Sequence, residues 1–211
     1  MSAQPPEHFF ERADESADEL FYQQPRLVTH IDDATIDALT AYYGEVLPAG
    51  GALLDLMSSW ISHLPPDAGY REVVGLGMNE QELKSNERLT QCVVHNLNTD
   101  PCLPYAEDRF DAVMIAVSVQ YLTQPYEVFR EIARVLRPGG RVIVAMSHRL
   151  FPTKAVMAFR ALNPQQRIEL VQHYLALSGF QEFQFVDRSP ESADPLWVVT
   201  GLAQQEGAAA G

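Results

Sequence analysis

Short apolar runs alternate with amphipathic stretches along most of the chain, and this order predicts strands that alternate with helices. The strongest strand pattern covers residues 110–117, continuously apolar after Asp111, as expected of a central parallel strand buried on both faces. A helix is predicted over residues 125–136, with proline in its first turn and Pro138-Gly139-Gly140 as its stop. The other strands are predicted over residues 52–56, 72–76, 91–97, 141–146, 182–187 and 197–200, and the other helices over residues 33–43, 79–86 and 163–178.

This order of elements predicts the fold class α/β, a three-layer, doubly wound, seven-stranded and mostly parallel sheet with an antiparallel hairpin at one edge. A length of 211 residues suits one such domain. We expect a flexible acidic segment over residues 1–20, a single domain over residues 21–203 and a flexible tail over residues 204–211. Pro65 and Pro66 stop any helix that Trp60 begins, so the first crossover is expected to be short or irregular.

Residues 51–63 have the pattern of a ligand-binding strand and turn but lack the glycines of such a turn. An apolar run contains Asp55 near its carboxyl end and is followed by small polar residues, at the sheet edge where ligands bind in doubly wound folds. Met57, Ser59 and Ile61 occupy the places of the usual glycines, which permit backbone conformations and close approaches that a side chain forbids. Two interpretations of the Ser58-Ser59 pair stay open: they offer hydrogen-bond donors to a ligand, or they cap a helix that starts at Trp60.

Composition and charge argue against several classes of function. The formal net charge of −13 argues against a nucleic-acid partner and against an anionic membrane surface, and leaves small molecules or neutral to basic partners. The longest apolar stretch, residues 112–119, is too short to span a bilayer, and no signal peptide is visible, so a cytoplasmic location is expected. Cys92 and Cys102 are expected to be reduced thiols, and no spacing of cysteines or histidines predicts a metal site.

Two segments in a fixed order carry a family resemblance: Phe110-Asp111-Ala112-Val113, and then the residues REIARVLRPGG at positions 130–140. With Leu103-Pro104-Tyr105 upstream, they resemble class I S-adenosylmethionine-dependent methyltransferases of the type 11 group, over about residues 21–201. More narrowly, residues 55–65, 95–98, 147–155 and 194–199 are similar to a methyltransferase-like branch found in photosynthetic organisms. The resemblance implies a Rossmann-like methyltransferase fold, S-adenosylmethionine as cofactor and a small-molecule substrate.

The resemblance also implies cofactor-binding positions. Asp55 matches the acid that lies by the methionine portion and orders the turn, while Gly77 stands where the family has an acid that grips both ribose hydroxyls. Because that acid is missing, weak binding is expected, and Gly77→Asp is expected to tighten it by roughly one to two powers of ten if the backbone accepts a side chain. The remaining cofactor-binding positions are Ser58 and Ser59 in place of the glycine loop, Met78 on the adenine face, Asn96 and Leu97 at the adenine amino group, and Ser118 after the fourth strand.

The catalytic candidates are weaker, because methyl transfer depends chiefly on proximity and alignment and needs a base only if the nucleophile must lose a proton. Gln120 and Tyr121 follow the fourth strand and would position a substrate by hydrogen bonding; for Tyr121 the alternative is a place in the core. His148 lies near another expected strand end. Tyr22, Arg26 and His30 stand in a segment that resembles the family's amino-terminal lid.

Two readings of function remain at this stage. One is a methyltransferase acting on a small molecule with a modified S-adenosylmethionine pocket, and the other is a catalytically silent relative that serves as a binding or assembly module. A change of ligand to another nucleotide or metabolite also stays open. NAD-dependent oxidoreduction is disfavoured, because no G-x-G-x-x-G follows the first strand and no acid ends the second.

Overall fold

One mixed sheet of seven strands forms the centre of the protein in the computed structural model, which describes residues 5–204. Its strands are β1 (Ala52–Leu56), β2 (Glu72–Gly77), β3 (Gln91–Val94), β4 (Phe110–Ala116), β5 (Leu136–Met146), β6 (Gln181–Asp187) and β7 (Trp197–Leu202). They lie in the order β3-β2-β1-β4-β5-β7-β6, with the first five parallel and β7 antiparallel to both of its neighbours. The predicted doubly wound, mostly parallel sheet with an antiparallel edge hairpin is confirmed.

Helices cover both faces of this sheet. They are α1 (Asp18–Tyr22), α2 (Asp33–Val46), α3 (Glu80–Ser85), α4 (Pro125–Val135), α5 (Met157–Ala161) and α6 (Pro164–Leu177), with short 3-10 helices at Glu7–Phe10 and Val119–Tyr121. Side chains of α4 and α6 pack on one face, and side chains of α2 pack on the other. No helix within residues 5–204 is both long and apolar enough to cross a membrane.

Local side-chain chemistry explains several helix boundaries. The carboxylate of Asp32 accepts a hydrogen bond from the backbone N–H of Thr35 and so caps α2, as its sequence position predicts. Asn79 caps α3 in the same way, through the N–H groups of Gln81 and Glu82. Two boundary predictions are wrong. β5 begins at Leu136 instead of residue 141, because Leu136 already pairs with Phe110 on β4. β3 ends at Val94 instead of residue 97, because its pairing with β2 ends there.

The crossover between β1 and β2, residues 57–71, contains no helix, so the interpretation that Ser58 and Ser59 cap a helix starting at Trp60 is wrong. Two residues in it, Met57 and His63, have positive φ angles of 59° and 54°, which a continuous helix does not permit. The chain is instead held by side-chain bonds, such as the one from Trp60 Nε1 to the carbonyl of Val28 at 3.0 Å. The prediction of an irregular first crossover is therefore confirmed.

The N-terminal segment, residues 5–26, lies across the carboxyl ends of the central strands. Lys154, only 1% exposed, holds it through ion pairs to Asp14 at 3.4 Å and Asp18 at 3.3 Å and through a 2.6 Å bond to the carbonyl of Ser16. Arg12 contacts the same carboxylate oxygen of Asp18, at 2.5 Å. The segment expected to be flexible over residues 1–20 thus has specific buried contacts in its described part. The expected tail falls almost wholly on residues 205–211, outside the described residues.

Candidate functional site

A cavity of about 340 Å³ opens at the carboxyl ends of β1, β2 and β4 and is covered by the N-terminal segment. Parallel strands end together at this edge, and the direction of the sheet order reverses between β1 and β4, which is the usual ligand site of doubly wound folds. The structure brings all eight sequence-derived cofactor positions to its wall: Asp55, Ser58, Ser59, Gly77, Met78, Asn96, Leu97 and Ser118.

Asp55 orders the turn after β1 from inside the protein. Its side chain is 3% exposed, and its Oδ2 atom accepts hydrogen bonds from the hydroxyls of Ser58 and Ser62, both at 2.6 Å. Burial raises the pKa of Asp55 to about 6, although the two serine hydroxyls act in the opposite direction. Ser59 is held similarly, since its hydroxyl donates to Glu82 at 2.6 Å. Both serine hydroxyls therefore bind carboxylates of the protein.

The turn after β1 contains a backbone conformation typical of glycine, although it has no glycine. Met57 takes the left-handed conformation at the first of the three glycine positions, at a cost of roughly 1–2 kcal/mol for a residue with a side chain. Val117, at the end of β4 on the same cavity wall, also has a positive φ of 48°. Strained backbone at both strand ends is typical of functional sites.

Gly77 ends β2 in contact with the turn after β1. An ideal Cβ atom on Gly77 would lie 2.2 Å from the carbonyl oxygen of Ser58 and 3.2 Å from Cδ2 of Leu83. Backbone cannot yield as a flexible side chain does, so only glycine fits at this approach. The expectation that Gly77→Asp would tighten cofactor binding assumed that the backbone accepts a side chain at residue 77, and the structure leaves no room for one.

One of the positions expected to contact adenine is tied to the N-terminal segment. The side chain of Asn96 accepts a hydrogen bond from the backbone N–H of Asn98 at 3.0 Å and donates to Glu19 at 2.7 Å. Leu97 is buried and Met78 is half-buried, so they give this part of the wall an apolar character. Asn96 lines the cavity, and its amide oxygen, already in one bond, keeps a second lone pair.

Three polar atoms on residues of the cavity wall have no hydrogen-bond partner among the described residues: Nη1 of Arg26, Nδ1 of His63 and Oγ of Ser118. His63 and Ser118 are each only 9% exposed. Burial lowers the pKa of His63 to about 4, so its ring is neutral at physiological pH. Buried polar groups are normally paired, and unpaired ones at a cavity mark places where a ligand can bind.

The structure separates the three catalytic candidates. Tyr121 lines the cavity, accepts a hydrogen bond from the backbone N–H of Phe151 at 2.8 Å and stacks on the Phe151 ring at 5.7 Å. Gln120 is buried and does not line the cavity; its amide donates to the carbonyl of Val117 at 2.8 Å. His148 is half exposed, outside the cavity, with Nε2 3.2 Å from the carboxylate of Asp194.

Glu82 and Lys154 are wall residues that sequence analysis did not single out. Glu82 lies five positions beyond Gly77 on α3, and a glutamate in the first turn of a short helix carries no signal of its own. Lys154 meets its partners 136 to 140 residues away along the chain. Only the folded chain brings these groups together. Within residues 5–204 no cluster of three or more histidine, cysteine, aspartate or glutamate side chains could hold a metal ion.

Comparisons with known proteins agree with this geometry. Residues 56–144 match the model of a family described as a methyltransferase domain. Methyltransferase GfsG of Streptomyces halstedii is 33% identical over 98 residues, which is 43% of this chain and 35% of that protein. The ubiquinone/menaquinone biosynthesis C-methyltransferase UbiE of Roseobacter denitrificans is 28% identical over 119 residues, 53% of this chain and 46% of that protein. The chain thus spans less than half the length of these curated relatives.

Solved structures share the fold at low sequence identity. The [4+2]-cyclase SpnF aligns with a TM-score of 0.61 and 17% identity, covering 80% of this chain and 81% of that one. An S-adenosylmethionine-dependent methyltransferase from Mesorhizobium loti aligns with a TM-score of 0.59 and 15% identity, covering 80% of this chain and 99% of that one. These alignments show the Rossmann-like methyltransferase fold.

Residues 56–144 thus resemble the type 11 group of methyltransferases, and S-adenosylmethionine is the cofactor that this match and the solved structures imply. Three residues expected to contact adenine, Met78, Asn96 and Leu97, lie on the cavity wall, and Asp55 orders the turn that is expected to hold the methionine portion. At the position expected to bind the ribose, residue 77 is glycine and the carbonyl of Ser58 fills the space of a side chain. Apart from that position, the residues present fit the cofactor.

Proposed function

We propose that the protein transfers a methyl group from S-adenosylmethionine to a small molecule in this cleft. The observation that carries the proposal is the cavity of about 340 Å³, lined by all eight expected cofactor positions, seven of which lie within the matched residues 56–144. Its volume lies within the range of about 300–1,000 Å³ usual for sites of small molecules. The demethylmenaquinone methyltransferase of Renibacterium salmoninarum, 34% identical over 86 residues, is named for a small-molecule substrate, which supports this substrate class.

In this proposal Met78, Asn96 and Leu97 hold the adenine, and the turn at Ser58 and Ser59 holds the part of the cofactor that follows. Bound there, the cofactor supplies a methyl group on a sulfonium sulfur. The remaining cofactor positions act as follows: Asp55 keeps the turn in place, Gly77 gives it room, and the free hydroxyl of Ser118 donates to the ligand.

The protein's own contribution to methyl transfer is positioning and exclusion of water. Half-buried aromatic rings of Tyr22, Trp60 and Phe151 line the cavity, and such rings hold a planar apolar molecule while they keep water out. If the substrate nucleophile carries a proton, Nδ1 of His63 is neutral and free to accept it. Tyr121 is placed to orient the substrate, whereas Gln120 and His148 act at most through the loops that they hold.

The fold alone does not fix this reaction, because the similar SpnF structure is named a [4+2]-cyclase. The alternative of a silent binding module receives less support, since the family match covers β2, β3 and β4 and the residues of the cavity wall retain unpaired polar atoms.

Calorimetric titration with S-adenosylmethionine and S-adenosylhomocysteine tests the cofactor. Both are expected to bind, and a hundredfold excess over Kd is expected to raise the free energy of unfolding by about 2.7 kcal/mol. Ser118→Phe, which fills the cavity, is expected to abolish binding, while Ser85→Phe on exposed α3 serves as the matched control. Absence of binding to the wild-type protein would contradict the proposal.

Transfer itself is tested with methyl-labelled S-adenosylmethionine and a cell extract split into small molecules and macromolecules. Label is expected in the small-molecule fraction only. Label in protein or nucleic acid would refute the substrate class, and no label in either fraction, despite cofactor binding, would favour the silent module.

A further inference from the structure

The carbonyl oxygen of Ser58 lies where a side chain of residue 77 would begin. It is 2.2 Å from the position that a Cβ atom of residue 77 would take. A carboxylate oxygen of an aspartate lies at nearly this distance from its own Cβ. The protein therefore has a main-chain oxygen beside the end of β2, at about the distance from the chain at which the family has a side-chain oxygen.

This oxygen is available as an acceptor. Among residues 5–204, no donor is found for the carbonyl of Ser58, although the groups around it are paired. The N–H of Ser58 donates to the carbonyl of Leu76 at 2.8 Å, and the next carbonyl, that of Ser59, accepts from Asn86 at 2.9 Å. Ser58 lines the cavity, so a ligand can reach this residue.

The oxygen is also held firmly. The peptide that carries it is fixed at one end by the bond from Ser58 to Leu76, and the side chain of Ser58 is anchored on buried Asp55 at 2.6 Å. At the other end, Ser59 is anchored on Glu82 at 2.6 Å. An acceptor fixed in advance loses little conformational entropy when a ligand binds.

We propose that the carbonyl oxygen of Ser58 replaces the family's carboxylate as the acceptor for one ribose hydroxyl of an adenosine ligand. The inference rests on the proposed function. In that case residue 77 has to be glycine, because a Cβ atom there would displace the Ser58 carbonyl. One neutral oxygen differs from a carboxylate in two measurable ways: it grips one hydroxyl instead of two, and each bond contributes less to affinity.

The test compares adenosine, 2′-deoxyadenosine and 3′-deoxyadenosine by calorimetry on the wild-type protein, with S-adenosylhomocysteine as the reference ligand. Removal of one of the two hydroxyls is expected to weaken binding by about five- to tenfold, the worth of one neutral hydrogen bond, and removal of the other by less than twofold. Equal affinity for all three nucleosides would overturn the inference while leaving the proposed function intact.

Equal losses for both deoxynucleosides would also overturn it, and would assign the ribose to a two-oxygen group such as the carboxylate of Glu82. If S-adenosylhomocysteine itself does not bind, the proposed function fails together with the inference. The three results are therefore distinguishable.

Gly77→Ala adds an independent measurement, because the new methyl group has to push the Ser58 carbonyl away. A folded variant is expected to lose the discrimination between adenosine and the deoxynucleoside. Gly69→Ala is the matched control, since a Cβ there meets nothing within 4 Å. If Gly77→Ala does not fold, the nucleoside comparison on the wild-type protein decides alone.

Discussion

At the scale of single residues, Gly77 and Ser58 depend on each other. The sequence comparison predicts only that an acid is missing at position 77, because a list of residue types contains no distances. The structure shows that the Ser58 carbonyl takes the space instead. The eight expected cofactor positions on the cavity wall could be predicted from strand ends and the family resemblance, whereas the contact between Ser58 and Gly77 depends on the path of the crossover.

Gly77→Asp is expected to destabilise the protein and not to strengthen cofactor binding. The side chain would have to displace the backbone of Ser58, and overpacking of this kind costs about 1–3 kcal/mol. Chemical denaturation measures the loss, with Gly69→Asp, in open space, as the control. A variant of unchanged stability that binds S-adenosylmethionine more tightly would contradict the expectation.

Asp55 gives a prediction for pH. Its pKa rises from 3.8 to about 6 in the folded protein, so the folded state keeps a proton that the unfolded state releases between about pH 4 and pH 6. The stability that this proton adds to the folded state is fully present below pH 4 and is lost as the pH rises through 6. Relative to Asp55→Asn, the wild-type free energy of unfolding is expected to fall by about 3 kcal/mol across this window.

Urea denaturation at several pH values measures this difference. Asp37→Asn on the exposed surface of α2 is the control and is expected to run parallel to the wild type. If the free energy of unfolding of Asp55→Asn changes with pH in parallel with that of the wild type, the buried carboxyl does not titrate in this range.

At the scale of elements, predictability follows the kind of signal that an element leaves in the sequence. β4 could be predicted because a strand buried on both faces is apolar throughout. α6 could be predicted from Gly179, which ends it, and from its amphipathic pattern. The path of the crossover over residues 57–71 could not be predicted, and neither could the contacts of the N-terminal segment. Both depend on residues that are distant along the chain.

Lys154→Met is expected to loosen the N-terminal segment. It leaves buried Asp18 with one cationic partner instead of two, and breaking a buried ion pair costs about 3–5 kcal/mol. Hydrogen exchange over residues 11–22 is expected to accelerate. Lys84→Met, which removes an exposed pair with Glu80, is the control and is expected to cost under about 1 kcal/mol. Unchanged exchange in Lys154→Met would show that the segment is held by its other contacts.

At the scale of the whole molecule, charge restricts the partners. The chain has 28 acidic residues against 15 lysines and arginines, so its mean field repels phosphate backbones. We expect no binding of a fluorescent duplex DNA in anisotropy titrations at physiological salt, with a lysine-rich peptide as the positive control. Binding that weakens steeply with added salt would contradict this expectation.

The Ser58–Gly77 contact also has a consequence for related sequences. With the Ser58 carbonyl in its place a side chain at residue 77 has no room, whereas a glycine there is compatible with any turn. We therefore expect homologous sequences with this helix-free crossover to keep glycine at the end of β2. A hybrid gene that places an acid at residue 77 should yield folded protein only when residues 57–71 are exchanged together with it.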